Sequence, residues 1–294
     1  MDPLNFRKQS IGFRGAFIVM YNEINAFFSN LGGLISMTMQ PILFFAFLVM
    51  GLNSTTNNFN YHGIIISYAS YASIGVVGLI MTTQMSQAVY RSTVDKQFGL
   101  MAIKFMNGVR PFQYILGMSV FPIFGYLYQC LILYLLLIVF KIKGLVVLFP
   151  IAILVGIIML LFWSSLGIIC SCLFKNYQQR DIFIQLVFTP IAFTAPSFYL
   201  DGHEPLYLKI LANINPMTYQ LRALRSIIYR IPDITTIITS LLLTILVVIL
   251  TAFLLDKIQL TLQEKNLKQF RWPCLLGWFL RLQVTSLFTL QNHY

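Results

Sequence analysis

Charged residues are scarce in this sequence. Asp, Glu, Lys and Arg make up 10% of the 294 residues, whereas soluble domains hold about a quarter. Hydrophobic residues make up 58%, the mean hydropathy is +0.77, and residues 24–90 contain no charged side chain at all. This excludes a soluble globular protein and indicates an integral membrane protein. The apolar runs are continuous instead of alternating with period two, which favours membrane helices over a β-barrel.

Several motifs of energy conversion and catalysis are also missing. No Gly-Lys dipeptide occurs, which excludes a phosphate-binding loop of the GxxxxGK[ST] type. No GxSxG or HExxH motif occurs, the three His are far apart in the sequence, and the four Cys include no CxxC pair. Neither a metal site nor a disulfide framework is indicated. We therefore expect no catalytic activity, no cofactor and no metal ion in this chain.

Six apolar segments are long enough to cross a bilayer, which takes about 20 residues. They lie at about 31–51, 62–90, 112–140, 145–173, 182–200 and 233–255. The connections on the side of the N-terminus hold 14 Lys and Arg and the others hold 6, so the positive-inside rule places both termini in the cytoplasm. Residues 1–258 form the predicted transmembrane domain and residues 259–294 a cytoplasmic tail. The basic residues flank spans, which suits lipid headgroups and not nucleic acid as a partner.

Within these predicted spans, Asp233 at one edge is the only Asp, Glu, Lys or Arg. Carriers that couple to protons or ions commonly place an ionisable side chain at the membrane midplane. Sodium coupling through backbone carbonyls stays open, because it needs no charged side chain. We expect that any uphill transport takes its energy from another polypeptide.

An amphipathic helix is predicted ahead of the first span. Its apolar residues recur at steps of three and four: Phe13, Phe17, Met20, Ile24, Phe27 and Leu31. The polar residues Arg14, Asn22, Glu23 and Asn25 lie off this stripe. One apolar and one polar face are typical of a helix that lies in the membrane interface.

A pair of short helices is predicted before the last span. Asn215 followed by Pro216 indicates an N-cap with proline at the first helical position. The residues after it form an apolar stripe of Met217, Leu221, Leu224 and Ile228, with Arg222 and Arg225 off the stripe. Two helices that meet at this break predict a re-entrant or interfacial hairpin on the outer side, sheltered by the spans.

The segment "RSTVDKQFGLMAIKFMNGVRP", residues 91–111, interrupts the apolar sequence with five charges. As a helix it has one apolar stripe at Val94, Phe98, Met101 and Phe105, and another at Leu100, Ile103 and Met106. A helix resting on a membrane needs one apolar face, so a second face suits a protein partner. Packing of one stripe against the chain's own interfacial helix is the alternative.

Two segments carry a family resemblance. "DKQFGLMAIKFMNGVRPFQYILG" resembles the cytoplasmic loop between spans two and three of ABC-2 type transporter permeases, with matches at Asp95, Phe98, Gly99, Met106, Arg110 and Gly117. "FTAPSFYLDGHEPLYLKILANINPMTYQLRALR" is similar to the outer segment of that family, with matches at Pro205, Asn215, Pro216, Thr218, Tyr219 and Arg225. The resemblance covers roughly residues 10–255 and is strongest to the drug- and polysaccharide-export branch. In the loop, "NGVRP" stands where the family has a sequence like "APVSR".

This resemblance implies an all-α permease subunit that dimerises with a copy of itself or a related permease. It also implies a separate ATP-binding subunit, which would hold the ATP and Mg²⁺. The interfacial helix and the loop would form the dock, with coupling residues Asp95, Phe98, Gly99, Met101, Met106 and Arg110. Phe98 and Met101 are expected to insert in a groove of the ATP-binding subunit. Its ATP-driven closure would switch the permease between two states.

A path for the cargo is predicted along spans two and five, at Tyr68, Tyr71, Gln84, Gln185 and Thr189. Scattered hydroxyls and amides on an apolar path suit an amphiphilic cargo such as a lipid, a drug or a lipid-linked glycan. The same residues also suit plain helix–helix contacts. The implied activity is export across a bacterial inner membrane or a plastid membrane, where the termini would be stromal. A non-pumping channel or scaffold and an intramembrane enzyme are the alternatives.

Overall fold

The computed structural model describes residues 12–56, 58–142, 145–202, 204–231 and 233–257. The predicted tail at 259–294 lies outside the described residues. Over the first half of the chain the elements are α1 (Arg14–Ser29), α2 (Leu31–Asn53), β1 (Phe59–Tyr61), β2 (Ile64–Ile66), α3 (Tyr68–Gln97), α4 (Leu100–Met106) and α5 (Pro111–Val139). Over the second half they are α6 (Leu145–Ser171), α7 (residues 177–194), α8 (Leu206–Ile214), α9 (Pro216–Ile228) and α10 (Ile234–Lys257).

Five helices of the described chain are long and apolar enough to cross a membrane: α2, α3, α5, α6 and α10. The fifth predicted span, 182–200, is wrong in its bounds. The helix found there, α7, begins earlier and ends at Thr194. Ala195 is extended, with ψ of 151°, because a residue before proline is driven out of the helical region and Pro196 follows. The membrane crossing of α7 stays a prediction.

Helix α3 is the central helix of the bundle. It is buried along most of its length and packs against α5, α6 and α9. Ser67 caps its start by accepting a hydrogen bond from the backbone N–H of Ser70, as N-cap serines do. Its end lies at Gln97, beyond the predicted end of the span at residue 90, so Arg91, Asp95 and Lys96 belong to this helix.

Three of the helices depart from regular α geometry. Helix α7 contains a π-helical segment, Ile184–Phe188, that ends two residues before Pro190. Proline has no N–H to donate to the preceding turn, and such wide turns occur mostly as local bulges in α-helices. Helix α2 contains another π segment, Phe44–Val49, and α5 is interrupted at Ser119.

A short β-hairpin connects α2 to α3, where the sequence predicts only the start of a span. β1 and β2 pair antiparallel, with Tyr61 opposite Ile64. The two turn residues, His62 and Gly63, both have positive φ, 47° and 88°, which matches a type I′ turn. We call the end of the bundle that carries the hairpin, residues 195–202 and residues 204–231 the hairpin end. The opposite end, with residues 98–110 and 172–176, is the loop end.

Candidate functional site

The charged end of α3 forms a junction at the loop end. Arg91, Asp95 and Lys96 lie within two turns of each other, and each is bonded to a different part of the chain. A helix that ends in water would leave such side chains solvated. Here their hydrogen bonds are made largely with other parts of the chain, so this end of α3 is bonded to several neighbouring elements.

Arg91 connects α3 to α1, the helix that is predicted to lie in the membrane interface. Its Nε and Nη2 donate to the two carboxylate oxygens of Glu23, each at 2.9 Å. A bidentate pair of this kind fixes geometry as well as charge. Glu23 is only 1% exposed and packs against the bundle, whereas the other residues of the predicted polar face, Arg14, Asn22 and Asn25, are exposed. Phe13, just before α1, and Phe17 on it are exposed, as a membrane-facing side requires.

Asp95 connects α3 to α4 and α5. Its carboxylate accepts hydrogen bonds from the ammonium group of Lys104 on α4 and from the hydroxyl of Tyr114 on α5, the latter at 3.0 Å. Asp95 and Tyr114 are both buried. A buried carboxylate needs such donors, because an unpaired charge in a protein interior costs several kcal/mol.

Lys96 connects α3 to the end of α6. Its Nζ donates to the backbone carbonyls of Cys172 and Phe174, at 2.6 and 2.9 Å. These carbonyls follow the last residue of α6, Ser171, where helices leave acceptors unsatisfied and carry partial negative charge. Lys96 therefore acts as a C-terminal cap supplied by a neighbouring helix.

Helix α4 divides into a buried and an exposed side. Phe98, just before it, is 69% exposed, and Leu100, Ile103 and Met106 are also exposed. We call these four residues the α4 surface. Met101 is 1% exposed, so its predicted insertion in a partner is wrong: it is a packing residue of the loop. The buried side, with Met101 and Phe105, lies against α3 and Tyr114.

Gly99 and Arg110 bound the loop that carries the α4 surface. Gly99 has φ of 71°, a left-handed conformation that glycine adopts without strain. Arg110 is exposed, and its backbone N–H donates to the side chain of Gln113 at 2.9 Å. Gln113 in turn donates to the carbonyl of Gly12 at 2.8 Å, which joins the end of the loop to the start of α1.

The predicted outer motif lies at the hairpin end. Asn215 caps α9 by accepting from the N–H of Met217 at 2.9 Å, with Pro216 at the first helical position, so the predicted cap is confirmed. Thr218 is fully buried, and the Tyr219 hydroxyl donates to a carbonyl at the end of α8. The stripe Met217, Leu221, Leu224 and Ile228 is buried as predicted.

Arg225 lies off that stripe and is fully buried. Its guanidinium carbon lies 3.6 Å from the centroid of the Tyr71 ring, and Nη2 donates to the carbonyl of Pro196 at 2.7 Å. Among the residues that the structure describes, its Nε and Nη1 have no hydrogen-bond partner. Buried cations over aromatic rings are stabilised by the ring quadrupole, which compensates in part for the missing carboxylate.

Tyr68 and Tyr71 hold the segment 195–200, which we call the strap. The Tyr68 hydroxyl donates to the carbonyl of Phe198 at 2.8 Å, and the Tyr71 hydroxyl donates to the carbonyl of Tyr199 at 3.2 Å. Both tyrosines are buried. The strap is irregular backbone, and its carbonyls need such donors away from water.

The structure does not bring the predicted cargo-path residues together. Gln84 is buried in α3 and donates to the side chain of Gln129 at 2.7 Å. Gln185 and Thr189 are exposed on one side of α7. Tyr68, Tyr71 and Gln84 are therefore packing residues in this conformation, while Gln185 and Thr189 are free to meet another molecule.

A cavity of about 470 Å³ opens at the hairpin end, and sequence reasoning missed it. It is lined by Tyr61, His62, Asp201, Gly202, Arg222, Ser226, Ile231, Asp233 and Thr236. Arg222 donates to both carboxylate oxygens of Asp201, at 2.6 and 2.8 Å. Burial raises the pKa of Tyr61 to about 12, so this phenol is neutral at physiological pH. None of the predicted cargo-path residues lines the cavity.

In the described ranges, no cluster of His, Cys, Asp and Glu side chains is suited to hold a metal ion.

In a comparison with protein families, the model of the ABC-2 type transporter family matches residues 16–229. The match runs from α1 to the end of α9 and includes the junction, the α4 surface and the strap. A search among curated proteins found no match.

Proposed function

This chain belongs to the ABC-2 type transporter family, and we propose that it is the membrane subunit of an ABC transporter. ATP and Mg²⁺ would be bound by a separate subunit, since the sequence has no GxxxxGK[ST] loop. The observation that carries this proposal is the α4 surface: exposed apolar side chains that stand on a buried network of ion pairs.

The α4 surface suits a groove in the ATP-binding subunit. Phe98 is its most exposed large side chain, and aromatic anchors in pockets dominate the energy of many interfaces. Met106 extends the surface and Arg110 lies at its rim. Asp95 and Gly99 serve it indirectly, because they fix the position and the turn of α4.

The junction supplies a route by which the partner's movement reaches the membrane helices. A push on α4 acts through Lys104 on Asp95 of α3, and α3 is tied to α1 through Arg91 and Glu23. Closure of the ATP-binding subunits would favour one of two arrangements of these helices, and a partner does so only by contacting them differently. The permease would act as a dimer of two copies or with a related chain.

The proposed cargo is amphiphilic or lipid-linked and moves outward. Helix α7 is proposed as a further span, the fifth in chain order, with Gln185 and Thr189 among apolar side chains on its exposed side. A mixed surface of this kind suits a molecule with an apolar tail and polar groups. The proposed location is a bacterial inner membrane, or alternatively a plastid membrane, with the loop end and both termini in the cytoplasm or stroma.

Replacement of Phe98 tests the proposed dock. The Phe98→Asp variant should lose an ATP-binding subunit during copurification from native membranes, because a carboxylate in an apolar groove removes the anchor and adds a desolvation cost. Loss of one aromatic anchor costs about 2–4 kcal/mol, or at least about thirtyfold in affinity. Asn107→Asp is the control, since it adds the same charge at an exposed position just after α4.

Retention of the ATPase by Phe98→Asp at the level of the parent chain would contradict the proposed dock. If the parent chain itself copurifies with no ATPase, and stimulates none, the proposal of a pump fails. A non-pumping channel or scaffold then becomes the better interpretation.

A further inference from the structure

A second set of contacts leaves the junction, and the proposed dock does not use it. Arg180, in the first turn of α7, is largely buried, and its guanidinium carbon lies 4.2 Å from the centroid of the Tyr90 ring on α3. The ring of Tyr177 lies at 4.8 Å, and Asp181 accepts a hydrogen bond from Nε and forms an ion pair with Nη2. A cation held over a ring away from water contributes about 2 kcal/mol. The start of α7 is thereby fixed to α3.

The connection between α6 and α7 is fixed to the same part of α3. Lys96 binds the carbonyls of Cys172 and Phe174, and Phe174 packs with its ring centroid 5.0 Å from that of Phe183 on α7. Phe183 in turn lies 5.7 Å from Phe188, at the end of the π segment. A continuous row of buried aromatic rings therefore runs from the connection between α6 and α7 to the middle of α7.

The far end of α7 is fixed to a different element. The side-chain amide of Asn215 donates to the carbonyl of Ile191 at 2.6 Å and to the hydroxyl of Thr194 at 3.0 Å. Between the two attachments lie the π segment Ile184–Phe188 and Pro190. Proline and π turns are where helices bend, so the bend point of α7 lies between its two anchors.

We infer that Arg180, held by Tyr90, is a positioning residue that transmits movement of the loop end of α3 to α7. When a movement of α4 shifts α3, the first turn of α7 follows. Helix α7 then bends at Ile184–Phe188, because Asn215 holds the last turn of α7. The exposed side of α7, with Thr189, then changes its surroundings. This inference rests on the proposed function, since the movement of α3 comes from the ATP-binding subunit.

The test uses the full chain in complex with its ATP-binding subunit, reconstituted in lipid nanodiscs and free of native cysteines. A reporter cysteine is placed either at the last residue of α3, by Gln97→Cys, or on α7, by Thr189→Cys; both positions are exposed. Maleimide labelling rates are compared without nucleotide and after trapping with ATP and vanadate. In the parent complex the rate at each reporter should change about fivefold or more, which corresponds to a coupling free energy of about 1 kcal/mol.

Arg180→Gln and Tyr90→Leu should affect the labelling response at one reporter and not at the other. Each removes the cation–ring contact, so the response of Gln97→Cys should persist and that of Thr189→Cys should fall below about twofold. Tyr90→Phe keeps the ring and Arg180→Lys keeps the charge, and both should restore the response. Lys175→Gln is the matched control, because it removes an exposed positive charge just before the start of α7.

The outcomes distinguish this inference from the proposed function. If neither reporter responds in the parent complex, the proposed function fails and the inference falls with it. If the Gln97→Cys reporter responds in the parent complex and Thr189→Cys does not, only the inference is overturned. An undiminished Thr189→Cys response in both Arg180→Gln and Tyr90→Leu overturns it in the same way.

Discussion

Glu23 accepts hydrogen bonds from Arg91 on both carboxylate oxygens. Removal of either side chain leaves the other without its hydrogen-bond partner. The Glu23→Leu and Arg91→Met variants should each be destabilised by about 1–3 kcal/mol, because a largely buried polar group loses its partner. The double variant should recover most of that loss, since both polar groups are gone. The exposed Arg14→Met, also on α1, should change stability by less than about 0.5 kcal/mol.

Midpoints of thermal unfolding in detergent micelles measure this cycle. Effects of Glu23→Leu and Arg91→Met that simply add in the double variant would show that the two side chains do not act as a pair. The Arg91 side chain is 32% exposed and that of Glu23 is 2% exposed, so the larger loss is expected for Arg91→Met, which leaves the buried carboxylate without its cation.

Residue identity predicted some of these positions and not others. The Asn215 cap has a local signature, because capping depends on neighbours within the same turn. The burial of Glu23 and Arg225 has none, since their partners are far away in sequence. Gly75 is similar: a Cβ there would collide with the carbonyl of Ser197 in the strap, and nothing in the sequence around Gly75 reports that approach.

At the scale of the elements, Gln129 of α5 ties three helices together. Its side chain accepts from Gln84 of α3 at 2.7 Å and donates to the carbonyl of Met37 and the side chain of Gln40, both on α2, at 3.0 and 3.1 Å. Gln129→Leu should lower the stability of the bundle by about 1 kcal/mol, as loss of interhelical hydrogen bonds in membranes does. Gln185→Leu is the control, because Gln185 is exposed on α7.

The same unfolding measurement in detergent checks this prediction. Equal midpoints for Gln129→Leu and the parent chain, or a Gln185→Leu variant as unstable as Gln129→Leu, would contradict the assignment of Gln129 to interhelical packing.

Hydropathy located the long helices well and their ends poorly. Helices Leu31–Asn53 and Leu145–Ser171 lie close to predicted spans, because a long apolar run is a direct signal. Because the last turns of α3 are charged, hydropathy places them outside the span, in a separate segment. In the structure α3 continues to Gln97, and groups on neighbouring elements pair with those charges. The hairpin Phe59–Ile66 was missed, since its strands are only three residues each.

At the scale of the whole molecule, a charged segment that follows a long uncharged apolar stretch is explained by the contacts that its charges make. The charges of α3 are concentrated at the loop end, where they bind α1, α4, α5 and the end of α6. Along the rest of α3, packing is by small, apolar and hydrogen-bonded neutral side chains. A force applied at the α4 surface therefore reaches most of the bundle through one helix end.

Photo-crosslinking from position 98 in native membranes tests this account most directly. With a benzophenone amino acid in place of Phe98, we expect covalent capture of one protein, identified by mass spectrometry as an ABC-type ATP-binding subunit. The same group in place of the exposed Ile65 at the hairpin end should not capture it. Capture of that subunit from Ile65 and not from Phe98, or a Phe98 product with lipid alone, would contradict the claim that driving force enters at the α4 surface.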